Sequence, residues 1–318
     1  MTVDVLLCGL PRSGTTWAGK ILDSHPDTLY LHEPDSVLRR PDLPFYPDPG
    51  DKAVAVPLGD YLDALGKVRA PRCLAKRPFF PKAWEPRAGY WWRQMQALGS
   101  KLLERAGLSP GIRLWMRPGS KPVVVCKSIE ASGRLPLWAR SRPGLRLVYL
   151  VRHPGGQLAS LIRGLREGAM PAGFDPSEDR SALRSLAHRP WARERGHDEA
   201  AWEGMGPVER LALRWALVND FVLESLEGLP NARVLRYEDL CADPEGGARE
   251  LLAFAGLDWH GQTAAFLRRS TAGQGGYYEV RRDPRQAAWR WREELEPQEV
   301  EAVERVVAGS RGAAIYGL

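Results

Sequence analysis

The fold of this chain of 318 residues is decided by the stretch Val3-Asp4-Val5-Leu6-Leu7-Cys8-Gly9-Leu10-Pro11-Arg12-Ser13-Gly14-Thr15-Thr16. Residues 3–10 form a short, mainly apolar run, which is typical of a strand buried on both faces. Gly9 and Gly14 bound a turn, and residues 15–24 have helical character and end at His25-Pro26. This order of strand, turn and helix predicts a loop whose backbone N–H groups, together with the helix N-terminus, hold an anion.

The loop departs from the signature of nucleotide triphosphatases. That signature continues Gly-Lys-Ser/Thr, whereas Gly14 is followed by Thr15-Thr16. The missing lysine argues against ATP or GTP hydrolysis. Arg12 supplies a cation earlier in the loop, where a guanidinium can hold an anion through two parallel hydrogen bonds. We therefore expect an anionic ligand other than a nucleoside triphosphate.

Further strands alternate with helices along the chain. Apolar runs that predict strands lie at residues 29–31, 123–126, 145–151 and 233–236. This alternation predicts an α/β fold of the three-layer P-loop type, with a central parallel sheet flanked by helices. In such sheets ligands bind at the carboxyl ends of the strands. Glu33, Lys127, Arg152 and the glycine loop all fall at such ends.

We predict a single domain over residues 1–318, with two insertions on the substrate side. Residues 37–120 are rich in prolines and aromatics, which indicates an irregular insertion that contains helices. Residues 167–206 are polar and rich in Gly, Pro, Arg and Glu, as in a mobile loop or lid. Residues 207–226 have apolar side chains at helical spacing, and Asp243-Pro244 is typical of a helix start.

The composition is that of an ordinary globular protein, with 44% hydrophobic and 26% charged residues. A net charge of +6 and a pI near 9.2 favour anionic partners, without separating a nucleotide from a nucleic acid or an acidic membrane. The four cysteines show no CxxC spacing, and Cys8 and Cys126 lie in apolar runs, so we expect reduced, buried thiols.

Several expectations concern location and metals. The chain opens without a signal-like segment, and no apolar run approaches the roughly 20 residues that a membrane span needs. We therefore expect a cytoplasmic protein without a membrane span. The six histidines show no metal-ligand spacing, so no metal is expected. Nothing in the sequence indicates an oligomeric state.

Two motifs resemble those of sulfotransferases that use 3′-phosphoadenosine-5′-phosphosulfate (PAPS). Pro11-Arg12-Ser13-Gly14-Thr15-Thr16-Trp17 is similar to the loop that holds the 5′-phosphosulfate. Leu147-Val148-Tyr149-Leu150-Val151-Arg152-His153-Pro154, continuing to Leu158-Ala159-Ser160, is similar to the motif that holds the 3′-phosphate. The resemblance implies PAPS as the donor and 3′,5′-ADP (PAP) as the product. His153 departs from the aspartate that family members often carry there.

The resemblance also implies a set of donor-binding residues. Arg152 and Ser160 match the positions that hold the 3′-phosphate, Tyr237 aligns with a tyrosine near the adenine, and Arg281 and Arg282 lie where the family closes a loop over the nucleotide. The predicted donor site comprises Pro11, Arg12, Ser13, Gly14, Thr15, Thr16, Arg152, Ser160, Tyr237 and Arg282.

One branch of the family is favoured by further motifs. The runs Leu29-Tyr30-Leu31-His32-Glu33-Pro34 and Arg236-Tyr237-Glu238-Asp239-Leu240 resemble the carbohydrate 6-O-sulfotransferases, as does Trp289-Arg290-Trp291-Arg292. This resemblance implies a hydroxyl on a carbohydrate or a glycosylated small molecule as the acceptor. A phenolic or natural-product hydroxyl is the alternative acceptor.

The predicted catalytic residues are Glu33, Arg12 and Lys127. Glu33 lies where tyrosylprotein sulfotransferases carry a catalytic glutamate, and a carboxylate there can take the proton from an acceptor hydroxyl. His32 is the rival base, because many cytosolic sulfotransferases use histidine. Adjacent strand residues point to opposite faces, so we expect only one of the two to serve. Lys127 and Arg12 can neutralise charge on the sulfonate during transfer.

Two other classes of protein are weighed against a sulfotransferase. A P-loop small-molecule kinase predicts Gly-Lys-Ser/Thr and a metal-binding aspartate, and neither is apparent. A nucleic-acid-binding protein predicts a basic patch interleaved with aromatics, whereas these arginines lie at strand ends, so no nucleic acid is expected. Core packing is predicted for Trp138, Trp215 and Trp289, and sugar stacking is considered for Trp84, Trp91 and Trp92.

Overall fold

A parallel sheet of five strands forms the centre of the molecule. The computed structural model describes residues 1–107, 119–168, 175–272 and 284–318. All strand pairs in this part of the chain are parallel, in the order β2-β3-β1-β4-β5. The strands are β1 (Val5–Cys8), β2 (Thr28–His32), β3 (Val123–Ser128), β4 (Arg146–Val151) and β5 (Ala232–Arg236).

Helices cover both faces of this sheet. In the described residues they are α1 (Thr15–Asp23), α2 (Lys52–Leu65), α3 (Pro71–Leu74), α4 (Arg87–Arg105), α5 (Leu135–Ser141), α6 (Pro154–Arg166), α7 (Ser181–Leu186), α8 (Pro190–Glu194), α9 (Glu199–Gly204), α10 (Pro207–Leu226), α11 (Tyr237–Ala242), α12 (Pro244–Phe254), α13 (Gly261–Thr271), α14 (Pro284–Trp289), α15 (Trp291–Glu294), α16 (Pro297–Val307) and α17 (Arg311–Ala314).

The central strand β1 shows why the chain adopts three layers. Successive side chains of a strand point to opposite faces. Leu6 and Cys8 enter the hydrophobic core on one side of the sheet, and Val5 and Leu7 enter the core on the other. All four are fully buried. The predicted three-layer α/β fold is confirmed, and so is the burial of Cys8 and Cys126.

The segment 37–120 contains helices, as expected, whereas the segment 167–206 contains helices where a mobile loop or lid was predicted. Residues 37–120 include α2, α3 and α4. Residues 167–206 include α7, α8 and α9, and α7 packs against α10 with Leu183 and Leu186 buried. The prediction of a polar loop is therefore wrong for residues 181–204. Helices of five or six residues are too short for apolar spacing to reveal them, and burial against α10 stabilises α7.

Two tryptophan predictions are also corrected. Trp138 and Trp215 lie in the core as predicted, but Trp289 is 41% exposed. Trp84 is not available to stack on a sugar, because it is buried and its indole N–H donates to the carbonyl oxygen of Thr28 at 3.0 Å.

No helix of the described residues has the length and apolar character to cross a membrane.

Candidate active site

The glycine loop connects β1 to α1 through two residues in the left-handed region. Arg12 has φ 73° and Gly14 has φ 94°. The peptide N–H of Ser13 donates to the carbonyl of Leu10 at 3.1 Å, which closes the turn. Gly14 is the N-cap of α1 and has no side chain to cap the helix. The first N–H groups of a helix have no intrahelical acceptors, so this end of α1 is suited to an anion.

Ser13 supplies a second sign of an anion site. Its side chain is 1% exposed, and its hydroxyl oxygen finds no hydrogen-bond partner among the described residues. A buried hydroxyl without a partner is costly in a folded protein. Thr15 is buried beside it and Thr16 is half-buried in the first turn of α1. The loop therefore fits an oxyanion such as a phosphate or a phosphosulfate.

Gly14 also makes a close approach that only glycine allows. A Cβ at this position would overlap the ring of Tyr237.

We predict that Gly14→Ala destabilises the protein by at least about 2 kcal/mol, from the left-handed backbone and the overlap together, and removes anion binding. Urea unfolding measures the loss. Gly144→Ala is the matched control, since no atom lies within 4 Å of its added Cβ; equal stabilities of the two variants would contradict this description of the loop.

Arg152, at the carboxyl end of β4, connects the glycine loop to the backbone of α14. Its guanidinium donates to the carbonyl oxygens of Arg12 at 3.0 Å and of Ala287 at 3.1 Å, and it lies 4.7 Å from the ring centroid of Tyr237. Its Nε is buried without a hydrogen-bond partner in the part of the chain described. The Nε of Arg12 donates to the hydroxyl of Ser160, on α6, at 3.0 Å. Arg12 thus contacts both other residues, Arg152 through its backbone carbonyl and Ser160 through its side chain, and so links the glycine loop to the end of β4 and to α6.

The backbone at Arg152 is fixed from two directions. The indole N–H of Trp215, on α10, donates to the carbonyl of Arg152 at 3.1 Å. On the other side, the carboxylate of Glu238 accepts the peptide N–H of His153 at 3.0 Å and the hydroxyl of Tyr316 at 2.8 Å. Burial raises the pKa of Glu238. These contacts hold the end of β4 in place, so Arg152 is presented by a rigid support.

His153 is a packing residue in this structure. Its ring stacks on that of Trp291 with centroids 4.5 Å apart, and its Nδ1 accepts the N–H of Gly155 at 3.1 Å, capping α6. Burial, together with the charges of Arg292 and Arg152, lowers its pKa to about 4. The imidazole is therefore neutral near pH 7 and adds no charge beside Arg152.

Glu33 and Lys127 form an ion pair at the carboxyl ends of β2 and β3. The Nζ of Lys127 donates to the Oε1 of Glu33, and the peptide N–H of Glu33 donates to the carbonyl of Lys127 at 2.7 Å. The Lys127 side chain is only 2% exposed, whereas that of Glu33 is 24% exposed. The carboxylate of Glu33 is therefore partly exposed to solvent, and the buried ammonium of Lys127 holds it in place.

His32 lies on the same side as Glu33, which contradicts the expectation from strand alternation. Its Nε2 is 3.7 Å from the Oε1 of Glu33. The reason is that β2 ends at His32 and Glu33 has φ 48°, so the chain turns before the alternation continues. Burial, together with the charges of Lys127 and Lys76, lowers the pKa of His32 to about 2. His32 is therefore neutral near pH 7, and its Nδ1 pairs with the hydroxyl of Tyr30 at 3.0 Å.

A second carboxyl group supports the end of β3. The hydroxyl of Ser128 donates to the Oδ2 of Asp35 and accepts the N–H of Ala131 at 2.9 Å. Asp35 is buried, and burial, with the charges of Glu130 and Glu33, raises its pKa to about 6. Because this carboxyl lies under the turn that carries Glu33, its contacts position that turn.

The structure brings the predicted residues together in two neighbouring groups. The first, around the glycine loop and the end of β4, contains Pro11, Arg12, Ser13, Gly14, Thr15, Thr16, Arg152, Ser160 and Tyr237. The second, at the ends of β2 and β3, contains Glu33 and Lys127, and it adjoins the first because Leu7 of β1 pairs in register with Lys127. Arg282 and Arg281 lie outside the described residues. No cluster of three or more potential metal ligands occurs within the described ranges.

Sequence reasoning missed three supporting residues. The side-chain amide of Gln157 donates to the carbonyl of Pro11 at 2.9 Å and so fixes the loop from α6. Tyr30 joins His32, and Glu238 holds the backbone at His153. Glu238 lies in the motif of residues 236–240, but the motif does not show where the side chain of Glu238 points. Gln157 carries no signal beyond its place on the helix after Arg152.

These features define an α/β protein with a cradle for a phosphate-like anion at the strand ends and a carboxylate beside it. Residues 4–261 match the Sulfotransferase family, which covers most of the chain. The chain therefore belongs to the sulfotransferase family, and the prediction of a sulfotransferase is confirmed.

Curated relatives are found among carbohydrate sulfotransferases. Carbohydrate sulfotransferase 7 of Rattus norvegicus is 27% identical over 342 residues, covering 92% of this chain and 70% of that protein. Carbohydrate sulfotransferase 2 of Mus musculus is 28% identical over 173 residues, covering 50% of this chain and 32% of that protein.

The solved structures that are similar include the sulfotransferase domain from the curacin biosynthetic pathway. It has a TM-score of 0.43 at 16% identity and covers 96% of this chain and 97% of that one. The mouse sulfotransferase SULT7A1, complexed with PAP, has a TM-score of 0.42 at 12% identity and covers 99% and 88% of the two chains. The family assignment rests on the sequence match.

Proposed function

We propose that this sulfotransferase moves the sulfonate of PAPS to a hydroxyl of a carbohydrate or a glycosylated small molecule, with Glu33 as the base. The observation that carries the donor assignment is the pair of contacts by which Arg12, in the glycine loop, is joined to Arg152 and to Ser160. Two anion-binding features one strand apart fit a ligand with two phosphate groups, and PAPS carries one at its 5′ end and one at its 3′ position.

The loop end of this arrangement suits the 5′-phosphosulfate. The amides at the start of α1, the unpaired hydroxyl of Ser13 and the guanidinium of Arg12 are all hydrogen-bond donors to an oxyanion. Arg152 and Ser160 suit the 3′-phosphate, and the ring of Tyr237, which closes the loop at Gly14, suits the adenosine. We propose these roles, and that of Arg282 as a loop contact, as the donor site.

Glu33 is the better placed of the two candidate bases. In the transfer, the acceptor oxygen forms a bond to sulfur, the bond from sulfur to the phosphate oxygen breaks, and the acceptor proton passes to the carboxylate. A residue whose conjugate acid has a pKa of about 2, such as His32, is a weak proton acceptor at neutral pH. We therefore propose Glu33 as the base, which Lys127 holds and beside which the neutral ring of His32 packs.

Lys127 has two proposed roles in the same step. Its buried ammonium fixes the carboxylate of Glu33, and its positive charge stabilises the charge that develops on the sulfonate and the leaving oxygen. When Glu33 takes up the proton, the ion pair is weakened and Lys127 becomes available to the transferring group. Arg12 supplies the second positive charge from the loop.

The carbohydrate acceptor is proposed from the relatives. The chain aligns over 92% of its length with a protein named carbohydrate sulfotransferase 7. Sugars offer primary hydroxyls, which must lose a proton when they accept the sulfonate, and Glu33 supplies the base for that proton. A phenolic or natural-product hydroxyl is the second acceptor class, and a location in the cytoplasm remains a prediction from sequence.

Donor and acceptor are tested by separate measurements. We expect 3′,5′-ADP to raise the unfolding temperature, because a ligand that binds only the folded state stabilises it, and we expect ATP with Mg²⁺ or an oligonucleotide to leave it unchanged. Stabilisation by ATP with Mg²⁺ but not by 3′,5′-ADP would contradict PAPS as the donor. Labelled PAPS is then offered with N-acetylglucosamine, galactose and a simple phenol. Label on the sugars supports the proposal, and label on the phenol alone would overturn the acceptor class.

A further inference from the structure

Helix α4 carries an apolar stripe that points away from the protein. Trp91, Met95, Leu98 and Leu102 follow one another at intervals of three or four residues, which places them on one face of a helix. Trp92 and Leu103 widen the stripe. All six side chains are between 40% and 67% exposed. Contiguous apolar surface of this kind marks a site of interaction.

The opposite face of α4 is anchored to the protein. Arg93, Ala97 and Ser100 are buried, and the guanidinium of Arg93 donates to the carbonyl of Phe80 at 2.8 Å and to the carboxylate of Glu85 at 2.6 Å. Arg93 and Glu85 form a buried ion pair. The orientation of the helix is therefore fixed, and the stripe faces outward because the other face is held.

The charge of α4 indicates what covers the stripe. Arg93 is paired with Glu85, and the rest of residues 87–105 contains three basic residues and one acidic residue, in a chain of net charge +6. A helix with Trp and Leu on one face and an excess of Lys and Arg is typical of helices that lie in the interface of an anionic bilayer. Pairing of two copies of α4 about a twofold axis would instead bring like charges together.

We propose that the stripe of α4 docks on an anionic lipid surface. The docking face lies close to the candidate active site, because α3 packs against both α4 and β2, and the Sγ of Cys73 on α3 is 3.8 Å from the carbonyl oxygen of Glu33. Trp91 and Trp92, considered above as sugar contacts, serve as interfacial anchors in this arrangement, as indole rings do at the headgroup level.

Sedimentation with vesicles tests the proposal without measuring turnover, so its outcome is independent of the proposed reaction. The full chain is mixed with vesicles of phosphatidylcholine alone or with about 30% phosphatidylglycerol. We expect binding to the anionic vesicles, and a loss of at least about tenfold in the partition coefficient for Trp91→Ser/Leu98→Ser. Leu98→Ser and Val56→Ser form a matched pair of single variants, since Val56 is a 69% exposed apolar residue on α2. Only the first is expected to weaken binding.

Three results would overturn this inference. The first is absence of binding to anionic vesicles, and the second is equal loss in the two single variants. The third is a dimer in gel filtration that the double variant abolishes, since a second copy would then cover the stripe. An unchanged shift of the unfolding temperature by 3′,5′-ADP shows that the double variant is folded. If that shift is lost, vesicle binding of the single variants Leu98→Ser and Val56→Ser is compared instead.

Discussion

Glu33→Gln is expected to reduce sulfonate transfer by about 10²–10⁴-fold, the range for loss of a general base. The amide keeps the size of the side chain but cannot take the acceptor proton. Affinity for 3′,5′-ADP should remain within about threefold of the wild-type value, because Glu33 belongs to the group at β2 and β3 rather than to the glycine loop. Turnover with the acceptor that labelled PAPS identifies, and calorimetric titration with 3′,5′-ADP, measure the two quantities.

Glu130→Gln is the matched control for this substitution. Glu130 is an exposed carboxylate on the turn after β3, and its charge acts on the same buried Asp35 as that of Glu33 does. Its turnover should equal that of the wild type. Near-normal turnover of Glu33→Gln would remove Glu33 from the mechanism and return the role of base to another group.

Arg152→Ala is expected to weaken binding of 3′,5′-ADP by about 10- to 100-fold, since a hydrogen bond to a charged group contributes about 1.5–3 kcal/mol. The substitution removes the guanidinium that donates to the carbonyl of Arg12 and lies against the ring of Tyr237. Binding of 5′-AMP, which lacks the 3′-phosphate, should change much less. Titration of both nucleotides against both proteins separates loss of the 3′-phosphate contact from a general loss of the site.

Arg166→Ala provides the comparison at the opposite end of α6. Arg166 is exposed in the last turn of α6 and carries the same charge as Arg152. It should bind 3′,5′-ADP as tightly as the wild type does. If both nucleotides lose affinity equally in Arg152→Ala, the effect arises through the carbonyl of Arg12, which Arg152 holds, and the 3′-phosphate assignment is wrong.

The glycine loop could be predicted from the sequence because its determinants are local. A buried strand, two glycines and a helix start follow one another in residues 3–24, and the positive φ of Gly14 fulfils what that spacing requires. Glu33, Lys127 and Arg152 could be placed together because parallel strands share one carboxyl edge. The structure bears out that edge.

Contacts that depend on a single dihedral angle or on distant packing could not be predicted. The left-handed turn at Glu33 brings His32 and Glu33 to one side, and no residue type at this position signals it. Gln157 reaches Pro11 only because α6 packs beside the loop. The apolar stripe of α4 could not be predicted, because the segment has many aromatic residues and the sequence does not show which face of a helix is buried.

A structure of the complex with 3′,5′-ADP would show whether the glycine loop and Arg152 bind the two phosphates of the donor. We expect the 5′-phosphate at the amides of residues 13–16, with the hydroxyl of Ser13 now paired, and the 3′-phosphate against Arg152 and Ser160. A nucleotide bound with its 3′-phosphate away from Arg152, or bound elsewhere than the glycine loop, would contradict the account of the donor site.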